Sequence, residues 1–555
     1  MKRRNALKLL TPFLVAAIFL LAVLCIQSRA DDKNNKGATG EDTVLQAMQM
    51  EMARSKAKLK LEQMAAPYYI EYRVAELDEV AAEAAFGAVR ANSRNHLRLV
   101  RVVVRVGDYK QDSYFGQGEG VFEVMPSDDD LLALRHRLWL ATDRAYKTAT
   151  EALASKQAQL KQFNVEQPVD DFARAPVVES ITPLAKLEVD PPPWVKMLER
   201  ATALYKQDPQ VQSLEASLHF AAVNRRFLNS EGTVVRGGRT FYSIVVQAST
   251  QAADGMKLER SHASTVADMK ELPSEEKFLA QTTKLLGTLK RLQDAPIADE
   301  EFRGPVLFSG DAAASIFVDF IGDNVLGRKP DLGQPARTKG AFATSFKSRV
   351  LPDFLSVVDD PTVAAVDGHS LVGNYDIDDE GVAAARVQVV EKGKLENYLM
   401  GREPIRDFST SNGHGRAWGG SAPTPSMGNL IVRSSEPFSR EELKKKLIEL
   451  CQQRELPFGY YVETLGPRRA PRQLYKVWVK DGHEELVRGA IFGDLDTRTL
   501  RNDLIAAGND VNVENRVGAV PHSIVNPSIL FDELEVKRAN ANKEKLPEYP
   551  PPAMP

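Results

Sequence analysis

The sequence predicts an α+β fold, in which an N-terminal mixed sheet with long helices is followed by a β-rich C-terminal domain. Three observations carry this reading. Val100, Val102, Val104 and Val106 alternate with Arg101 and Arg105, the period of two that a strand with one buried face imposes. Leu131, Leu134, Leu138, Ala141, Ala145, Ala149 and Ala152 recur every three or four residues, which gathers them on one face of a helix. From Asp353 to Arg416, short apolar runs such as Leu355 with Val357 and Val387 with Val389 alternate with Asp-Pro and Lys-Gly turns, the grammar of a β-meander.

Taken in order, the chain opens with Lys2-Arg3-Arg4, an apolar run from Leu9 to Ile26, and Ser28-Arg29-Ala30 before Asp31. This pattern predicts a signal peptide over residues 1–30, hence export to the periplasm or the cell exterior. The apolar run of 18 residues is also barely long enough to span a bilayer, so an uncleaved membrane anchor through residues 9–26 is the alternative. Leu24 before Cys25 does not fit the small residue that precedes a lipidated cysteine. Residues 31–42 (DDKNNKGATGED) are polar and glycine-containing and predict a disordered spacer.

An N-terminal α+β domain is expected over residues 43–299. It begins with a helix from Thr43 to about Met64, then strands at Tyr68–Val74, Ala84–Val89 and Leu97–Val106, the last with one buried face. Asp128-Asp129-Asp130 caps the long helix that follows; His136 and Trp139 on it carry no chemistry. Asp190-Pro191-Pro192-Pro193-Trp194 reads as a connector before a helix from about Val195 to Gln207. Residues 226–235 read as a hairpin turning at Asn229-Ser230-Glu231-Gly232, and Tyr242–Ala248 as a further strand. A helix from Ser274 to Leu292, with Phe278, Leu279, Thr282, Leu285, Leu286 and Leu289 on one face, closes the domain at Ala295-Pro296-Ile297. The C-terminal domain is expected over residues 300–538, starting with a strand at Gly304–Asp311 that enters a helix. Residues 539–555 form a Pro-rich tail, disordered or laid against a partner.

The 555 residues are 43% hydrophobic and 26% charged, ordinary for globular domains. A net charge of −3 leaves no electrostatic footprint for nucleic acid. Of the two cysteines, Cys25 lies in the signal core, which leaves Cys451 as the one thiol of a mature chain. No internal disulfide and no Cys pair for a metal follow from that count. Cys451 sits in the pattern of Leu447, Ile448 and Leu450 and reads as a buried small hydrophobe. A nucleophile elbow, a dinucleotide fingerprint and a P-loop are all lacking from the sequence.

Four runs carry the functional signal: Val357-Val358-Asp359-Asp360-Pro361-Thr362, Asp376-Ile377-Asp378-Asp379-Glu380-Gly381, Lys392-Gly393-Lys394-Leu395-Glu396-Asn397-Tyr398-Leu399 and Ser409-Thr410-Ser411-Asn412-Gly413-His414-Gly415-Arg416. The second reads locally as a hairpin turn, with Gly381 at positive φ and the carboxylates facing water; it lacks the spacing of a calcium loop. Together the runs resemble the C-terminal domain of the TldD/PmbA proteins, and the Ser230-Glu231-Gly232 hairpin resembles their N-terminal domain. The resemblance is strong from Gly304 to Val536 and looser before. The family comprises metalloproteases and their metal-less partners.

Catalytic members carry His-Glu-x-x-x-His on a helix, where two imidazoles hold a zinc and the Glu takes a proton from its water. In this sequence the first His falls on Val318, the Glu on Asp319 and the second His on Asp323, and the family's further Cys ligand falls on Val520. The resemblance therefore implies no catalytic residue and no metal in this chain, with zinc expected in a partner subunit. That partner would be a TldD-like paralogue bearing His-Glu-x-x-x-His, or a second copy of the chain. Asp319 and Asp323, four residues apart, share a helix face, which is either a weak oxygen-ligated site or a partly solvated surface. His369, His414, His483 and His522 lie scattered in the C-terminal half and are either solvent-exposed loop residues or, if the fold brings them together, an alternative zinc site.

The resemblance also points to the glycine-rich segment from Ser409 to Gly420 as a peptide-handling surface. Asn412, Gly413, His414, Arg416 and Trp418 are the candidate peptide-binding residues: small residues admit an extended chain, Arg416 suits a carboxylate and Trp418 an apolar side chain. The function so implied is an exported, metal-less subunit that binds unfolded peptide and acts in proteolysis with a His-Glu-bearing partner. The alternative is a stand-alone, non-enzymatic peptide-binding or assembly protein in the periplasm.

Overall fold

The computed structural model describes residues 42–60, 64–163, 169–331, 334, 336–539, 545–547, 549 and 552. The expected signal segment 1–30, the spacer up to residue 41 and most of the tail lie outside the described residues. Among the described residues no helix is long and apolar enough to cross a membrane.

The N-terminal half is built on a seven-stranded sheet of β1 (Tyr69–Ala85), β2 (Ala88–Arg105), β3 (Val121–Val124), β4 (Glu179–Ile181), β5 (Ser213–Asn229), β6 (Val234–Gln251) and β7 (Lys257–Val266). The order is β3-β2-β1-β5-β6-β4, with β7 also paired to β6. Every pairing is antiparallel except β4 with β6, so the sheet is mixed. The Ala84–Val89 strand expected from sequence is instead the tip of the β1–β2 hairpin. Phe86 and Gly87 adopt φ of 51° and 77°, the pair of positive values that a tight two-residue turn requires. An apolar run with a single glycine concealed that reversal. The Asn229–Gly232 turn forms as expected: Gly232 has φ 111°, and Asn229 Oδ1 accepts from the Gly232 and Thr233 amides, both at 3.0 Å.

Helices α1 (Thr43–Lys58), α2 (Leu131–Phe163), α3 (Pro191–Thr202) and α4 (Glu275–Asp294) cover one face of this sheet. Under α1 and α2 lie Tyr72, Val74, Val100, Val102 and Val104, and under α3 and α4 lie Ala82, Leu218, Phe220 and Val246. The first helix ends at Lys58, short of the expected Met64. The triple proline is the first turn of α3 and not a connector, with Asp190 at the N-cap; the first-turn amides have no intrahelical partner, so proline removes nothing there.

The opposite face is buried as well, which the Arg/Val alternation of β2 did not suggest. Arg101 is 8% exposed, Arg105 3% and Arg73 on β1 4%. C-terminal segments cover two of them, Arg101 donating to the Gly420 carbonyl at 3.2 Å and Arg73 to the Asp379 carbonyl at 3.4 Å, while Arg105 pairs with Asp112 at 2.7 Å beneath Tyr114 and Phe172.

Two sheets and one helix form the core of the C-terminal half. In the eight-stranded sheet, β8 (Glu301–Phe308) runs parallel to Phe458–Leu465 and antiparallel to Ile529–Arg538. In the six-stranded sheet, β9 (Leu355–Asp359) lies between Val387–Glu391 and Asn429–Ser434. Helix α5 (Gly310–Phe320) leaves β8 through Ser309, whose Oγ accepts from the Ala312 amide at 3.1 Å, and packs against strands of both sheets. Its Ala312, Ala313, Ala314, Ile316 and Phe317 are fully buried.

Cys451, on the helix Arg440–Gln453, is fully buried, and desolvation pushes its thiol up to about 11. It is therefore expected to resist a thiol reagent such as dithionitrobenzoate in the native protein and to react fully in denaturant, because the thiolate is the reactive form. Stoichiometric labelling of the native chain would contradict this burial.

Candidate functional site

Two regions bear on function: the helix at which a catalytic centre is expected, and a cleft between the N-terminal sheet and the C-terminal loops. On α5 the residues not packed into the core recur every four positions, at Asp311, Ser315 and Asp319. Val318 is 6% exposed and belongs to the hydrophobic core. The Asp319 carboxylate lies 3.5 Å from the Arg469 guanidinium, both about 40% exposed. Ser315 Oγ accepts from Arg516 Nη2 at 3.0 Å, and Arg516 also pairs with Glu514 at 2.7 Å. Asp323 follows in the short turn Gly322–Asn324, where desolvation and then the Asp319 charge raise its carboxyl. Val520 lies in the loop before His522–Asn526, and its carbonyl accepts from His522 Nδ1 at 3.0 Å.

The cleft grows out of the Asp376–Gly381 turn. Gly381 has the expected positive φ of 77°, but the carboxylates do not face water: Asp378 is 1% exposed, Asp379 8% and Glu380 8%. Asp378 accepts from the amides of Glu380, Val382 and Gly415 at 2.9 to 3.0 Å. Asp379 pairs with Arg225 of β5 at 3.0 Å and accepts from the Ala417 amide at 2.9 Å. Burial raises this carboxyl, but Arg225, Arg416 and Arg73 outweigh it and hold Asp379 below the usual range. Arg225 also donates to the carbonyls of Ile377 and Asp378. The turn is thus clamped onto the N-terminal sheet, with Phe227 and Val235 packed on Ile377.

Beside this clamp opens a cleft of about 200 Å³ whose walls include Arg73, Arg225, Arg239, Tyr375, Arg416 and Trp418. Of the candidates named from sequence, Arg416 and Trp418 line it. Arg416 is 1% exposed, stacks 3.9 Å from the Tyr375 ring centre and stands 3.6 Å from Asp379. The structure gives Asn412, Gly413 and His414 a different task. Asn412 bridges the Met400 amide and the Tyr398 carbonyl at 2.7 and 2.8 Å. His414, fully buried, holds Asp359 through Nε2 at 3.1 Å. A Cβ at Gly413 would strike the Ala383 carbonyl, and one at Gly420 the Phe122 ring, so these glycines admit the protein's own chain. Sequence reasoning missed Arg73, Arg225, Arg239, Tyr375 and Asp379; the available signal was arginine at inward positions of otherwise apolar strands. The other histidines do not join this group: His369 and His483 are exposed, and His522 is part-buried.

Residues 302–538 match the family model described as the PmbA/TldA metallopeptidase C-terminal domain. Residues 302–538 are thus a TldD/PmbA-type C-terminal domain. The chain is 33% identical to a metalloprotease of Methanocaldococcus jannaschii over 103 residues, 18% of this chain and 22% of that one. It is 26% identical to a metalloprotease of Methanothermobacter thermautotrophicus over 230 residues, 39% of this chain and 45% of that one. The matched segments span less than half the length of these curated relatives. Among solved structures, TldE from Thermococcus kodakarensis has a TM-score of 0.57 at 13% identity, covering 88% of this chain and 99% of that one. A Thermotoga maritima protein described as a modulator of DNA gyrase has a TM-score of 0.59 at 16% identity, again covering 88% and 99%. These likenesses show the shared α+β fold.

A zinc of the kind the resemblance implies for catalytic members does not fit the residues at these positions. Val318 offers no donor atom and lies in the core, Val520 offers only a carbonyl already bonded to His522, and Arg469 stands against Asp319. A zinc site needs several nitrogen, sulfur or carboxylate donors and is opposed by adjacent guanidinium charge. Asp319→Ala is accordingly expected to change the free energy of unfolding by less than about 1 kcal/mol, the usual worth of an exposed ion pair. Any partner-dependent activity should remain within about twofold, a change in rate that corresponds to only about 0.4 kcal/mol. Loss of activity in a folded Asp319→Ala protein would show that the position still does chemistry.

Proposed function

We propose that this chain is the metal-less subunit of an exported TldD/PmbA-type peptidase, binding unfolded peptide while a partner chain with His-Glu-x-x-x-His supplies the zinc. The observation that carries this reading is the donor set on and near α5, where the positions that align by sequence with the family's ligands hold hydrocarbon at Val318 and an arginine-paired carboxylate at Asp319. Export is supported by Lys2-Arg3-Arg4 and the apolar run Leu9–Ile26. Peptide handling is supported by the cleft at Arg416 and Trp418, which joins guanidinium, aromatic and backbone surfaces in a space the size of a few side chains.

In this reading, residues of the present chain hold and orient peptide and take no part in bond cleavage. The test is purification of the tagged chain from its native host, followed by metal analysis and a peptidase assay on an unfolded polypeptide. Recovery of a His-Glu-bearing paralogue, with cleavage by the pair and none by the chain alone, is the expected result. Stoichiometric zinc and cleavage in the isolated chain would overturn it. Peptide binding with no paralogue recovered would favour the stand-alone binder.

A further inference from the structure

The cleft holds more guanidinium charge than its carboxylates can balance. Arg225 and Arg416 share Asp379, at 3.0 and 3.6 Å. Among the described residues, no carboxylate lies within 4.0 Å of Arg73 or Arg239. Arg73, 4% exposed, donates to the carbonyls of Asp379 and Ser421, and its Nε is buried without a partner. Arg239 donates one hydrogen bond, to the Asn374 carbonyl at 3.2 Å, and lies 4.8 Å from the Phe241 ring centre. The second carboxylate of the lining, Asp376, is exposed. Burial, and then the charge of Arg416, push the Arg239 guanidinium down to about 9. A planar fork held this way, with most of its donors unused, is suited to an anion that accepts two parallel bonds.

Shape narrows the anion. The cleft of about 200 Å³ is also walled by Trp418, Tyr375 and Val235, and by Ser180 and Thr182 at the edge strand β4. An edge strand offers backbone to an extended chain, and the aromatic walls suit a side chain attached to the anion. We propose that this cleft is a carboxylate-binding subsite in which Arg239, flanked by Arg73 and Arg416, takes a carboxylate of the bound peptide. The proposal deepens the peptide-binding reading and rests on it. The carboxylate is either the peptide's C-terminal group or an Asp or Glu side chain, which share the same acceptor geometry.

Three probes separate the sources: acetyl-pentaalanine as the free acid, the same peptide as its amide, and the amide with a central glutamate. Binding to the full chain is measured by titration calorimetry for the wild type and for Arg239→Gln. At least one carboxylate-bearing peptide is expected to bind about tenfold or more tightly than the plain amide, the range for a charge-assisted bidentate contact. Arg239→Gln should erase that preference, so that the three peptides bind the variant alike. The peptide that shows the gain identifies the source.

A second measurement does not depend on peptide. Acetate should raise the wild-type melting temperature above that in chloride of equal ionic strength, and Arg239→Gln should lose that difference. Without ligand, the variant should melt at or above the wild type, because a like charge has been removed. Equal binding of all three peptides, or a preference retained in Arg239→Gln, would overturn the subsite and leave peptide binding standing. Absence of binding by every peptide would overturn both.

Discussion

Replacing Arg402 with methionine is expected to lower the free energy of unfolding by about 3–5 kcal/mol, the range for breaking a buried ion pair from one side. Arg402 is fully buried in the C-terminal half, yet its partners come from the other half of the chain. Its guanidinium makes two contacts with Glu231, at 2.8 and 2.9 Å, and two bonds to the Ala173 carbonyl, at 2.8 and 3.0 Å. It also lies 4.0 Å from the centre of the Phe172 ring. Methionine fills much of the volume but leaves Glu231, at the β5–β6 turn, with its charge facing a low-dielectric pocket. Denaturant titration of Arg402→Met, Glu231→Gln and the double variant gives the coupling. The double variant should be less destabilised than the sum of the singles, since neutral Gln has no charge to strand. Strict additivity would mean the pair does not hold the halves together.

Between about pH 4.5 and 8 the protein should lose stability as pH rises, on account of Glu380. Burial, and then the neighbouring Asp378 charge, push this carboxyl from 4.5 to about 8. Asp378 is raised by burial too, but it accepts three backbone N–H bonds that favour its ionised form, so the proton resides on Glu380. Below 4.5 the carboxyl is protonated in both folded and unfolded chains, and its contribution is fully present. Above 4.5 the unfolded chain gives up the proton while the folded one keeps it, so the unfolded state gains until about 8, where both are ionised. Glu380→Gln should flatten that slope and leave the variant more stable than the wild type near pH 8. Gln retains an oxygen to accept from the Arg402 amide, which Glu380 Oε2 does at 2.6 Å. An unchanged slope in the folded variant would assign the pH dependence elsewhere.

The elements the sequence made legible are those whose local pattern and burial agree. Helix α4 has Ser274 at its N-cap and buries Phe278, Thr282, Leu285, Leu286 and Leu289 on the face that its spacing indicates. The step from β8 through Ser309 into α5 is equally local, and so is the Asn229–Gly232 turn. Errors arose where a residue's partner lies far along the chain. Asp378, Asp379 and Glu380 look like solvated turn residues until Arg225 and the Gly415 and Ala417 amides are brought against them. Arg73, Arg101 and Arg239 look like the wet face of a sheet until loops more than 100 residues away cover them.

The sequence by itself indicated the α+β class and the TldD/PmbA resemblance, and it sets hydrocarbon at Val318 and Val520 and a single carboxylate at Asp319 and Asp323, because a donor atom is a property of the residue type. Only the tertiary structure decided which residues of the glycine-rich segment line the cleft. His414 and Asn412 are spent on internal hydrogen bonds, while Arg416 joins Arg73, Arg225 and Arg239 from three strands of the other half. The physical reason is that the strength of a buried charge depends on the charges folded beside it, and spacing along the chain does not encode that convergence.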